Sequence, residues 1–88
     1  MDKTNLIEFP CKFPIKIMGV NNVELLPEVI AIVLAKCPDF NPELDISIKN
    51  SEKGKYISIT ADVMTHSQAH LDSIYLALNA HELVKITL

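Results

Sequence analysis

Tyr56-Ile57-Ser58-Ile59-Thr60-Ala61-Asp62-Val63 is the stretch that decides the fold. Its apolar residues Ile57, Ile59, Ala61 and Val63 fall on every second position, with Tyr56, Ser58, Thr60 and Asp62 between them. A period of two turns successive side chains to opposite faces, so the segment reads as a strand with one face in a core and the other in water.

Just upstream, Leu44, Ile46 and Ile48 alternate with Asp45, Ser47 and Lys49 after Pro42, and Asn50-Ser51-Glu52-Lys53-Gly54 supplies a turn. Two alternating runs joined by a polar turn predict a β-hairpin. Further upstream, Phe13-Pro14-Ile15-Lys16-Ile17-Met18 puts Phe13, Ile15 and Ile17 on one face and Lys16 and Met18 on the other, with Gly19 ending the strand. Between these strands, Leu26, Ile30, Val33, Leu34 and Cys37 follow helical spacing within a helix from Val23 to Cys37, and Pro38 stops it. That assignment leaves Ile32 and its neighbours toward the outer side. Asn21 or Asn22 offers the N-cap, with Glu24 in capping-box register to Asn21, while Pro27 disturbs the first turn.

Downstream, Thr65 and Gln68 form a second capping-box pattern ahead of the helical positions Leu71, Ile74, Tyr75 and Leu78. The last residues alternate again, predicting a strand with Val84, Ile86 and Leu88 facing the core. The element order is βαββαβ. Two right-handed crossovers place the strands as 4-1-3-2 in one antiparallel sheet with both helices on one face, an α+β, ferredoxin-like two-layer sandwich. Residues 13–88 form the single domain and residues 1–12 a polar N-terminal segment.

The chain has 88 residues, of which 49% are hydrophobic and 22% charged, enough apolar material for one core and no more. The first ten residues include Asp2, Lys3, Asn5 and Glu8 and lack the apolar run of a secretory signal. Leu25 to Ala35, the longest apolar stretch, is too short to span a bilayer and contains Pro27 and Glu28. A cytoplasmic protein without a membrane partner is expected. Cys11 and Cys37 form no CxxC motif and read as free packing thiols.

All eight basic residues are lysines, and the net charge is −3. Without the bidentate fork of arginine or a basic balance, phosphate chemistry and nucleic-acid binding are not expected. An RNA-recognition domain of this topology stacks bases on aromatics of its first and third strands. Here the third and fifth positions of Lys53-Gly54-Lys55-Tyr56-Ile57 are Lys55 and Ile57, and the first strand offers only Lys16 and Met18. A copper chaperone needs two cysteines after the first strand, where this chain has Gly19-Val20-Asn21-Asn22. An acylphosphatase-type site needs an arginine. His66 and His70 share a helical face, with Asp62 on the preceding strand but no third ligand at a diagnostic spacing, and are either a divalent-metal pair or two surface histidines. A catalytic Cys11 or Cys37 would need a partnered histidine. No cofactor is expected.

Two candidate sites are left. In the Gly19-Val20-Asn21-Asn22 loop, glycine permits close approach, and the asparagines and nascent helix offer hydrogen bonds to an anionic or amino-acid-like ligand. A helix cap is the plain alternative. The open sheet face, lined by Lys16, Met18, Tyr56, Thr60, Lys85 and Thr87, is either solvated or a partner-binding face.

Across nearly its full length the chain resembles the YbeD-like family of small bacterial proteins. The resemblance rests on Leu6-Ile7-Glu8-Phe9-Pro10, Lys16-Ile17-Met18-Gly19, Ser58-Ile59-Thr60, Thr65-His66, Ile74-Tyr75-Leu76-Ala77-Leu78 and Val84-Lys85-Ile86, in that order and spacing. It implies a fold similar to ACT domains, regulatory modules that bind amino acids near the first strand–helix turn, and a regulatory tie to lipoate metabolism. Gly19-Val20-Asn21-Asn22 departs from the Asp-x-Pro-Gly-type turn of ACT domains. The expectation is a non-catalytic regulatory or interaction module, binding a protein partner or small ligand, with a homodimer as one arrangement. The rival is a small enzyme or metal-binding protein using His66, His70 or a cysteine.

Overall fold

The computed structural model describes residues 8–51 and 53–88. Six elements follow in order: β1 (Cys11–Val20), α1 (Leu25–Lys36), β2 (Ile46–Asn50), β3 (Tyr56–Thr65), α2 (Gln68–Asn79) and β4 (Val84–Thr87). The sheet is ordered β2-β3-β1-β4 with every pairing antiparallel, the topology expected from two crossovers.

β1 and β3 form the centre, paired without a break from Cys11↔Thr65 to Val20↔Tyr56. β1 is longer at both ends than its clean alternation. Cys11 and Lys12 already belong to it, and residues 1–7 lie outside the described residues. Pro14 is tolerated in this central strand because β4 has run out there. The neighbouring Lys16 N–H points to β4 and bonds the Leu88 carbonyl, and Pro14, two residues earlier, turns its nitrogen beyond that strand's end.

Gly19 does not end β1 but lies inside it. A Cβ there would sit 2.5 Å from the Leu83 carbonyl oxygen and 2.8 Å from a Leu25 methyl. Leu25 therefore packs directly over the glycine, and this contact sets the rotation of α1. The buried line is Leu25, Val29, Val33 and Cys37, with Leu26 and Leu34 on its flank, rather than a face centred on Leu26, Ile30 and Leu34. Ile32, expected outside, packs against the core. These residues meet Ile15, Ile17, Ile59, Ala61 and Val63 from the sheet and Leu71, Ile74 and Leu78 from α2.

β2 starts at Ile46, later than the alternation from Leu44. Asn41 and Asp45 hold residues 41–45 in a turn: Asp45 Oδ2 accepts from the Asn41 N–H, and Asn41 Oδ1 accepts from the Glu43 N–H. Leu44 is left 80% exposed. The N-cap of α2 is Ser67, whose Oγ accepts from the His70 N–H. Thr65, expected to cap, is buried at the end of β3 and donates its hydroxyl to the Cys11 carbonyl.

The last strand carries a register shift. Ile17 faces Thr87 and Met18 faces Ile86, but Gly19 faces Val84, so Lys85 is an extra residue in the ladder. Val84 consequently points to the core while Ile86 turns to the open face, the reverse of its predicted direction. Thr87 turns under the sheet instead, where its Oγ1 donates to Asn79 Oδ1 at the end of α2. Among the described residues, no helix is long and apolar enough to cross a membrane.

Candidate functional site

The loop after β1 is built from hydrogen bonds to the chain itself. Asn21 donates its Nδ2 to the Gly54 carbonyl at 2.7 Å and its backbone N–H to the Lys55 carbonyl, fastening the loop to the β2–β3 hairpin. Asn22 Oδ1 accepts from the Glu24 N–H at 2.8 Å, and its carbonyl accepts from the Leu25 N–H. The residue at the formal N-cap is Glu24, whose side chain caps nothing. One polar atom of each asparagine side chain and the Leu25 N–H are thus engaged, and the space above Gly19 is filled by Leu25. Val20 is half-buried beside them, opposite Tyr56.

A second region lies at the opposite end of the sheet, where spacing in the sequence gives no sign of it. A cleft of about 390 Å³ opens between the ends of β1 and β3, the α1–β2 loop and the start of α2. Lys12, Cys37, Phe40, Asp62, Met64 and His66 are among its lining. Lys12 crosses to Asp45 at 3.1 Å, and the Asn41 N–H together with Lys12 holds the Asp45 carboxyl below its ordinary value.

This cleft brings together the thiol and imidazole that nucleophilic chemistry would require. Cys37 Sγ lies 3.6 Å from His70 Nε2. The hydrogen bonding argues against an active pair. His70 Nδ1 accepts from the His66 N–H at 3.2 Å, and Nε2 lies 2.8 Å from the Lys36 carbonyl oxygen. One neutral tautomer satisfies both contacts, with the proton on Nε2 donated to that carbonyl. Neither nitrogen is then free to take a proton from the thiol. Burial, reinforced by the Asp39 carboxylate, pushes the Cys37 thiol up, away from the reactive thiolate.

His66 and His70 do lie together, their rings stacked with centroids 5.5 Å apart. The His70 nitrogens that a metal would require are those already bound to backbone groups. Among the described residues, no group of three or more His, Cys, Asp or Glu side chains is placed to hold an ion. Asp62 lines the same cleft without completing such a set.

The third region is the open sheet face. Cross-strand register sets out its rows: Val20 beside Tyr56; Ile86, Met18, Ser58 and Lys49; Lys16, Thr60 and Ser47; Pro14 and Asp62; Lys12 and Met64. Leu88 joins beside Lys16 through paired backbone hydrogen bonds. Of the residues expected here, Lys16, Met18, Tyr56 and Thr60 are in place, Lys85 is exposed at the bulge, and Thr87 is on the other side. Ile86 and Leu88 take the ground that Lys85 and Thr87 were expected to hold. Met18, Ile86 and Leu88 are 41%, 50% and 72% exposed and adjoin one another.

A family profile described as "Protein of unknown function (DUF493)" matches residues 4–88. The chain belongs to this family. DUF493 relatives include a UPF0250 protein of Neisseria gonorrhoeae, 44% identical over 99% of this chain and 94% of the relative. Another, from Nitrosomonas europaea, is 39% identical over the whole of both chains. These are the small YbeD-like bacterial proteins that the sequence resembles. The solution structure of protein HP0495 from H. pylori superposes with a TM-score of 0.68, covering 98% of this chain and 89% of that one. At 14% identity that likeness speaks for the DUF493 fold and not for a shared role.

Proposed function

We propose that this DUF493 chain is a non-catalytic interaction module that binds a protein partner through the open face of its sheet. The observation that carries the reading is the adjoining, solvent-exposed trio Met18, Ile86 and Leu88. Aliphatic side chains grouped on an uncovered sheet are costly to leave in water and gain free energy when another surface covers them. The register shift in β4 supports it, because it turns Ile86 outward where plain alternation would bury it. The role is regulatory in the sense that the ACT resemblance implies, exerted in the cytoplasm on whatever the face binds. Enzymes of lipoate metabolism are one partner class to include on the strength of the YbeD-like resemblance.

The enzymatic alternative rests on the 3.6 Å approach of Cys37 to His70. Against it stand the raised thiol and the commitment of both ring nitrogens to backbone partners. A small-ligand site in the Gly19 to Asn22 loop is disfavoured because Asn21 Nδ2 and Asn22 Oδ1 are tied to the chain itself and Leu25 fills the space above Gly19.

Site-specific photo-crosslinking in the native cell tests the reading. A photoreactive residue replacing Ile86 should yield discrete adducts, whereas the same residue replacing Leu76, which is 72% exposed on α2, should not. Adducts from position 76 and none from position 86 would place the working surface on the helical layer instead.

A further inference from the structure

Charge on the open face is sorted by position. Asp62 and Asp45, joined through the Asp62 N–H and the Asp45 carbonyl, sit at the end near the cleft, and the Asp45 carboxyl is tied to Lys12. The half toward the β2–β3 hairpin carries Lys16 beside Thr60 and Lys49 opposite Ser58. Lys53 and Lys55 flank Tyr56 around a shallow depression of about 350 Å³. Among the described residues, none of these four lysines has an ion-pair partner within 4 Å, and the strand rows from Lys16 to Val20 hold no acid. Leu88 lies beside Lys16, Met18 shares a row with Lys49 across Ser58, and Tyr56 lines the depression with Lys53 and Lys55.

We infer that this half-face docks an acidic, amphipathic segment of the partner, large apolar residues seated on Met18, Ile86 and Leu88 and aspartates or glutamates set against Lys16, Lys49, Lys53 and Lys55. The inference rests on the open-face reading above and adds the partner's chemistry. A net charge of −3 would by itself favour a basic partner, but association follows the potential of the patch that makes contact. Apolar contacts at the centre supply affinity, while the surrounding lysines supply register and rejection of basic competitors. Nucleic acid fits less well: the trio offers a phosphate backbone nothing, and the lysines lack arginine's planar fork.

Panning a random peptide library on the intact chain tests this directly. Enriched peptides should combine two or more large apolar residues with an excess of Asp and Glu. Their affinity should fall by about tenfold or more in the Lys49→Glu/Lys53→Glu/Lys55→Glu variant, and also as salt rises. The corresponding Lys→Ala variant should show a smaller loss, and unchanged thermal midpoints exclude misfolding in both. Neutral or basic peptides that fail on Met18→Asp but ignore lysine reversal would overturn the inference and leave the open-face reading standing. Peptides indifferent to both changes, or no enrichment at all, would overturn both. A single-stranded oligonucleotide held more tightly than any peptide, through the same lysines, would assign the face to nucleic acid and overturn the inference.

Discussion

Ile86 of β4 stands opposite Met18 of β1 on the solvent side of the sheet, while Val84, only two residues earlier, stands opposite Gly19 and is buried. Residues two apart in a regular strand share a face, so the single extra residue Lys85 accounts for the reversal. Stability measurements separate the two positions. Val84→Ala should cost about 2 kcal/mol from lost apolar burial and the cavity left behind. Ile86→Ser should cost under about 1 kcal/mol, as expected of a surface position. Urea unfolding that ranks the two the other way would mean that β4 pairs without the bulge.

Gly19→Ala is expected to destabilise the chain by about 1–3 kcal/mol through overpacking. Leu25 can swing aside, but the Leu83 carbonyl oxygen belongs to the backbone and cannot. Adding Leu25→Ala should therefore fail to restore stability. A Gly19→Ala chain that unfolds at the wild-type urea midpoint would contradict the close approach of β4.

Cys37 should react sluggishly with a disulfide reagent near pH 8, slower than an unfolded-chain thiol by about tenfold, since burial and Asp39 both disfavour its thiolate. The rate should recover on unfolding. Folded-state labelling faster than that of a free thiol would reveal an activated nucleophile and revive the enzymatic alternative.

Asp45 links the α1–β2 connection to acid stability. Its carboxyl is lowered in the folded chain by the Asn41 N–H and by Lys12. A carboxyl depressed by folding contributes stability above its unfolded value near ~4, and that contribution disappears as pH falls through the folded value. Asp45→Asn should thus lower the thermal midpoint at pH 7, and the gap to wild type should narrow below about pH 4. A gap that widened on acidification would contradict the assignment.

Element order, sheet order and the inward faces of β1 and β3 were legible because period-two alternation is local and repeats along each strand. What escaped depends on contacts between distant segments. The rotation of α1 follows from Leu25 settling over Gly19, and spacing within the helix leaves several faces open. The bulge at Lys85 lies in a four-residue strand, where one inserted residue leaves too little pattern to detect. The approach of Cys37 to His70 joins residues 33 positions apart and has no spacing signature. In the open-face candidate site, the β1 and β3 residues could be read from parity, while β4 exchanged Thr87 for Ile86.

Affinity capture from the native cell, comparing the wild-type chain with Met18→Asp, tests most directly whether the open face is the working surface. Discrete partners should be retained by wild type and by Asn21→Ala, and lost by Met18→Asp while its thermal midpoint is unchanged. Partners retained by Met18→Asp but lost by Asn21→Ala would contradict the open-face reading and return the site to the loop after β1.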